Sequence, residues 1–282
     1  MSATRISPPL RRQRLGRILR DLRMASGMTL AEVSDRLGWS RAKLARVEAG
    51  QHKPELGDIA AALEFYQVAD DLRETCLTLA GQAGARPWWA PYRAVLGDLV
   101  SLETEAASIR SWQPMLVEGL LQTEDYARAI VLADLPGVAE SEVDLRVRAR
   151  MARQRLLLGD DPVALSVVMH EDALRVPVGS VGVMRAQLAH LMGVARWPNV
   201  TVRVLPRRVG AHAGMGGAFV LLSLMDSPPA CFVEGGPKEI ITVNQEQVRG
   251  YEWRFDHLAA SALAIEGSME MFDIIAREFD AE

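Results

Sequence analysis

The sequence predicts two folds in one chain: an all-α module of five short helices over residues 1–84, then an α+β domain with a small, largely antiparallel sheet over residues 85–282. Three observations carry this. Apolar residues recur at helical spacing through the first eighty residues, punctuated by glycines. Strict alternation first appears after Asp160-Asp161-Pro162, in Val200, Val202 and Val204, with Thr201 and Arg203 between them. Charge divides the same way: residues 1–53 hold twelve Lys/Arg and four Asp/Glu, or +8, so the rest of this −4 chain carries −12.

Residues 1–8 read as a disordered arm. Leu15, Ile18, Leu19 and Leu22 then mark a first helix, which Gly27 ends. Thr29-Leu-Ala-Glu32 is a capping box, in which hydroxyl and carboxylate satisfy the free N–H groups of a new helix. Gly38 breaks that second helix, and Ser40 caps a third that stops at Ala49-Gly50. Pro54 opens a fourth, with Ile59, Leu63 and Tyr66 inward, and a fifth runs over residues 70–79. Residues 81–91 read as a junction, with Trp88-Trp89 packed at its end.

Residues 92–158 look mostly helical. They include a helix at 124–132 behind a Thr123 cap, and an Arg-studded one at 142–158. Residues 163–169 are β-like, 180–195 a helix, and 200–205 a half-buried strand. Residues 219–225 and 230–234 form a hairpin around Asp226-Ser-Pro-Pro229. A short strand at 240–243 precedes a helical end at 244–279. Strands and helices interleave with hairpins, hence the mixed second domain. No repeat is visible.

Almost half the residues are apolar, enough for a proper core. No apolar run reaches the roughly 18–20 residues that cross a bilayer, and no apolar stretch follows the first arginines as in a signal peptide. The two cysteines, Cys76 and Cys231, lack metal-ligand spacing and fit a reducing cytoplasm. A basic module on an acidic body suits a polyanion binder.

Residues 28–54, MTLAEVSDRLGWSRAKLARVEAGQHKP, resemble the XRE/Cro-repressor family of helix-turn-helix, lambda-repressor-like proteins. Gly38, Ser40, Leu44, Val47, Glu48, Gly50 and Pro54 carry the resemblance, which covers about residues 15–66. The residue chemistry points the same way. Leu44 and Val47 face inward and leave Arg41, Ala42, Ala45 and Arg46 outward. Arginine forks bond guanine edges, and alanines permit close approach to a thymine methyl. These four are the candidate base readers. Lys43, Gln51, His52 and Lys53 are candidate phosphate contacts. The family's usual Gln after the second helix's cap is Leu30 here, so that phosphate contact passes to Thr29 or to backbone N–H groups. Trp39 packs on the core or lies against DNA sugar. The resemblance also implies that Glu48 pairs with Arg23, an orienting contact.

The second domain resembles the C-terminal domain of actinobacterial WhiJ-like regulators. The markers are Trp88-Trp89, residues 119–128 (GLLQTEDYAR), Arg153-Gln154, residues 199–206 (NVTVRVLP) and residues 217–219 (GAF). Glu118 stands where that family has Pro, which affects the local turn. The resemblance implies regulation of development or secondary metabolism beside a small partner protein. His170-Glu171, His212 and Glu234 suggest an acid/base or metal cluster, but no HExxH, CxxC or nucleophile motif frames them, and they read as structural. Arg146, Arg148, Arg150, Arg153 and Arg155 crowd one helix, as a carboxylate-paired face or an anion or second DNA contact. Residues 209–217 read as a flexible loop.

The chain therefore reads as a cytoplasmic, sequence-specific DNA-binding transcriptional regulator without cofactor or enzymatic activity. Double-stranded DNA is its partner, and its second domain dimerises and senses a ligand or small protein. An antitoxin-like protein that sequesters a small partner, and an enzyme with a DNA-binding appendage, are the other readings.

Overall fold

The structure, a computed structural model, describes residues 8–53, 55–84, 87–225, 227–233 and 240–281. The expected arm up to residue 7, Pro54, Asp226 and Glu234 lie outside the described residues. The chain divides into two compact units, one running to Ala90 and the other starting at Pro91.

The first unit is helical: α1 (Pro8–Ala25), α2 (Leu30–Leu37), α3 (Arg41–Glu48), α4 (Leu56–Phe65) and α5 (Asp70–Gln82). Glycines stop α2 and α3 at eight residues each. Gly38 sits at φ +67° after α2, and the Trp39 N–H reaches back to the Ser34 carbonyl at 2.9 Å. Gly50 repeats this at φ +68° after α3, with the Gln51 N–H on the Arg46 carbonyl at 2.8 Å. Both satisfy carbonyls that a helix end leaves open, and both need the left-handed backbone that glycine adopts without strain. Leu15 and Leu19 of α1, Val47 of α3, Ile59 and Leu63 of α4, and Cys76 and Leu79 of α5 close one core. Each such side chain contributes about 1.5–3 kcal/mol on burial.

The second unit begins with α6 (Arg93–Leu96), α7 (Leu99–Glu105), β1 (Ala106–Gln113), α8 (Glu124–Asp134) and α9 (Glu140–Arg153). Next come β2 (Ala164–His170), α10 (Asp172–Arg175), α11 (Val181–Val194), β3 (Val200–Leu205), β4 (Phe219–Leu224) and β5 (Ala230–Val233). It closes with β6 (Ile240–Thr242), α12 (Gln245–Ser261) and α13 (Ile265–Ala281).

The sheet corrects the expectation of a small, largely antiparallel one. It has six strands in the order β3-β2-β1-β4-β5-β6 and is mixed. β1 pairs parallel with β2, and β2 parallel with β3; β4, β5 and β6 continue antiparallel from β1. The parallel half has a plain cause. Helices α8 and α9 connect β1 to β2, and α11 connects β2 to β3, and such crossovers deliver a strand beside its predecessor in the same direction.

β1 is also where a mostly helical stretch was expected. It lies inside the sheet with Ser111 buried on one face and Trp112 on the other, so it shows no polar–apolar alternation. Helix α12 covers the face that carries Trp112, Val168, Leu221 and Cys231, through Val248, Phe255 and Leu258.

Candidate nucleic-acid interface

α2 and α3 form a tight two-helix unit because side chains cap the start of each helix and Gly38 fixes the turn between them. The capping box at the start of α2 is closed: the Thr29 N–H reaches Glu32 Oε2 at 2.8 Å, and the Glu32 N–H reaches Thr29 Oγ1 at 3.3 Å. Ser40 Oγ accepts the Lys43 N–H at 3.1 Å and starts α3. Helical geometry then sorts the eight residues of α3. Leu44 and Val47 are buried, whereas Arg41, Ala42, Ala45 and Arg46 are exposed together on the opposite side. The guanidinium of Arg46 gives its Nε–H to the Ala42 carbonyl at 3.2 Å, which ties the side chain back along this exposed face.

Two contacts from α1 set the angle of α3. A Cβ built on Gly16 would lie 2.5 Å from the carbonyl oxygen of Val47 and 2.6 Å from that of Glu48, so α1 touches the end of α3 backbone to backbone. The Arg23 guanidinium grips Glu48 with two prongs and gives a third bond to the Met28 carbonyl at 3.1 Å. The Glu48 carboxylate holds the Arg23 pKa above its ordinary value. Beside the pair lies the Tyr66 hydroxyl, whose pKa burial and then Glu48 push up to about 12.

The candidate phosphate contacts are placed differently from one another. Gln51 and Lys53 are exposed and His52 is half-buried just past α3, with the aliphatic end of Lys53 lying over Gly84. Thr29 is exposed, but Glu32 occupies its hydroxyl and its N–H. The Lys43 ammonium sits 2.6 Å from Asp58 Oδ2 and 4.8 Å from the centre of the Trp39 ring. Trp39 itself packs on the core of the unit. Asp58 and Gly16 were not singled out in the sequence. Both act through tertiary contacts, and only a hydrophobic-face glycine in α1 hinted at one of them.

Residues 14–75 match the family described as "Helix-turn-helix domain". Residues 96–273, which are 178 of the chain's 282, match the family described as "Domain of unknown function (DUF5753)". The chain belongs to the DUF5753 family. No curated protein and no solved structure matches it. It is a helix-turn-helix protein with a C-terminal domain of unknown function, and no helix among its described residues is long and apolar enough to cross a membrane.

In the DUF5753 domain the GLLQT segment is a 3-10 turn, Gly119–Leu121, locked by buried polar groups. Gln187 bridges it, donating to the Leu121 carbonyl at 2.8 Å and accepting from the Thr123 N–H at 2.7 Å. Glu118 caps the turn, accepting the Leu120 N–H at 3.3 Å as well as Ser111 Oγ and Gln113 Nε2.

The Arg-studded helix α9 is mixed in role. Arg153 binds both oxygens of the buried Glu103, Arg150 donates to Gln122, and Arg146 pairs with Glu142. Burial pushes the Glu103 carboxyl up despite Arg153.

His170 and His212 do come together. Their rings stack at 5.5 Å beside Trp112, and each Nδ1 accepts a backbone N–H, from Asp172 and Gly214 respectively. Burial, then His170, lowers the His212 pKa. Trp112 Nε1 donates to the Gly214 carbonyl at 2.9 Å, so the 209–217 loop is pinned to the sheet. Among the described residues no group of three or more His, Cys, Asp or Glu is arranged to hold a metal ion.

Proposed function

We propose that this DUF5753 protein is a sequence-specific transcriptional regulator that binds duplex DNA as a homodimer. Its C-terminal domain would join the two copies and sense a small ligand or small protein partner. The observation that carries this reading is the outer face of α3, where Arg41, Ala42, Ala45 and Arg46 are exposed side by side above a buried Leu44 and Val47. Such a helix enters the major groove, where arginines read guanine and alanines allow close approach.

One α3 reads only a few base pairs, which favours two copies on one site. Among the described residues of the helix-turn-helix unit, the exposed large apolar side chains are Met24 and Leu56. That supports assigning the copy-to-copy contact to residues 85–282.

Genome-wide DNA capture with the purified full-length protein, followed by footprinting, tests the reading. The expected result is a near-palindromic site with half-sites about one helical turn, 34–36 Å, apart. Affinity should fall steeply with salt, since each phosphate contact releases counterions. Capture with no enriched sequence, or binding indifferent to salt, contradicts it.

A further inference from the structure

We infer that the DUF5753 domain holds a small monocarboxylate with a compact apolar body, in the cavity between α8, α9 and β5. The cavity measures about 140 Å3. Its floor is apolar: Leu99, Val131 and Phe232 are nearly fully buried there. Its wall on α9 carries Arg146, Arg150 and Arg153, three residues whose spacing places them on one side of a helix. Most of the surface that the cavity exposes is polar and lies over this apolar floor, which suits a ligand with a charged head and an apolar body.

Arg146 is the anchor. Its Nε–H goes to Glu142 at 2.8 Å, and among the described residues its two outer nitrogens have no hydrogen-bond partner. They form the fork that binds a carboxylate through two parallel bonds. One turn on, Arg150 gives Nη1 to the neutral amide of Gln122 at 2.9 Å. Arg153 is matched by Glu103, whose two oxygens it takes at 2.9 and 2.5 Å.

The acids near the cavity set the ligand's charge. Glu142 already takes one side of Arg146, and Asp134 lines the rim, so a second carboxylate on the ligand would meet repulsion. Size is limited in the same way. A cavity of about 150 Å3 accepts one benzene ring, so the apolar body is a single ring or a short branched chain, with its carboxylate at Arg146.

This inference rests on the regulatory reading only for its purpose, because binding is measured without DNA. The experiment is calorimetry and thermal unfolding of the full-length protein with benzoate, valerate and 4-methylvalerate, each beside its neutral amide. At least one acid should bind saturably and raise Tm, while its amide is ten-fold weaker or inert. Arg146→Gln, at a half-exposed position, should weaken that acid at least ten-fold and leave the unliganded Tm in place. Leu135→Trp, at the half-buried rim, should block it by volume alone.

The inference is overturned if no acid surpasses its amide, or if Arg146→Gln binds as the wild type does. An absent operator with acid binding intact would overturn the regulator reading and leave this site standing. Failure of acid binding with a clear operator would do the reverse.

Discussion

Arg23 on α1 and Glu48 on α3 form a two-pronged ion pair, Nε to Oε1 at 2.7 Å and Nη2 to Oε2 at 2.9 Å, with side chains only 14% and 6% exposed. It ties α3 to α1, the helix behind it. Removing one charge leaves the other poorly solvated. Glu48→Leu should therefore cost about 2–4 kcal/mol in urea unfolding, somewhat below the figure for a fully buried pair. The double variant Arg23→Met/Glu48→Leu should be more stable than Glu48→Leu alone. A double variant that is the weaker of the two would show that the pair does not carry the joint.

Gly16 is the second tie. Gly16→Ala puts a methyl within 2.6 Å of two carbonyl oxygens of α3, so the helices must part. The expected loss is about 1–3 kcal/mol, together with weaker DNA binding as α3 tilts. Gly57→Ala is the control, with nothing within 4 Å of the new methyl. It should stabilise α4 by up to about 1 kcal/mol.

Tyr66 offers a gain. Its hydroxyl is buried and has no hydrogen-bond partner among the described residues. Tyr66→Phe removes an unsatisfied group and keeps the ring on the core. The urea midpoint should stay or rise, by up to about 1 kcal/mol. A clear fall would reveal a partner for the hydroxyl, such as a buried water.

In the DUF5753 domain, Glu171 governs part of the acid limb. Burial alone would raise its pKa, but the Arg207 N–H at 2.9 Å and the Arg175 guanidinium at 2.6 Å hold it below the ordinary 4.5. A carboxyl depressed in the folded state adds stability that is fully present above 4.5 and drains away as pH falls through its folded value. Glu171→Gln should therefore lower stability at pH 7 and flatten the decline below pH 4.5, seen as denaturation midpoints across that range. Parallel curves for variant and wild type would contradict this.

The helix-turn-helix half was legible because its signals are local. A capping box, two αL glycines and a Ser cap fix α2 and α3 between Thr29 and Gly50, and the burial of Leu44 and Val47 follows from spacing. Lys43 is a candidate phosphate contact on the same spacing, and it also pairs with Asp58 on another helix. Sequence distance hides such a partner. β1 was hidden for a different reason. Ser111 and Gln113 are polar residues inside the sheet, made tolerable by Glu118, and a strand covered on both faces loses the alternation that betrays one. Glu118 itself, a departure from the resembled family's Pro, proves to be the buried cap of its turn. The strand–helix–strand run of β2, α11 and β3 pairs parallel, which the reading of a largely antiparallel sheet, drawn with hairpins in view, did not include.

The proposed regulator works through base reading by the outer face of α3. Its most direct test is the affinity of full-length wild type, Arg41→Ala, Arg46→Ala and Lys53→Ala for the captured site and for every single-base variant of it, at fixed salt. Each Arg variant should lose about 1–3 kcal/mol on the captured site and lose preference at one base pair per half-site. Lys53→Ala should weaken all sequences alike. Wild-type base preferences in both Arg variants would contradict the claim and move recognition away from α3.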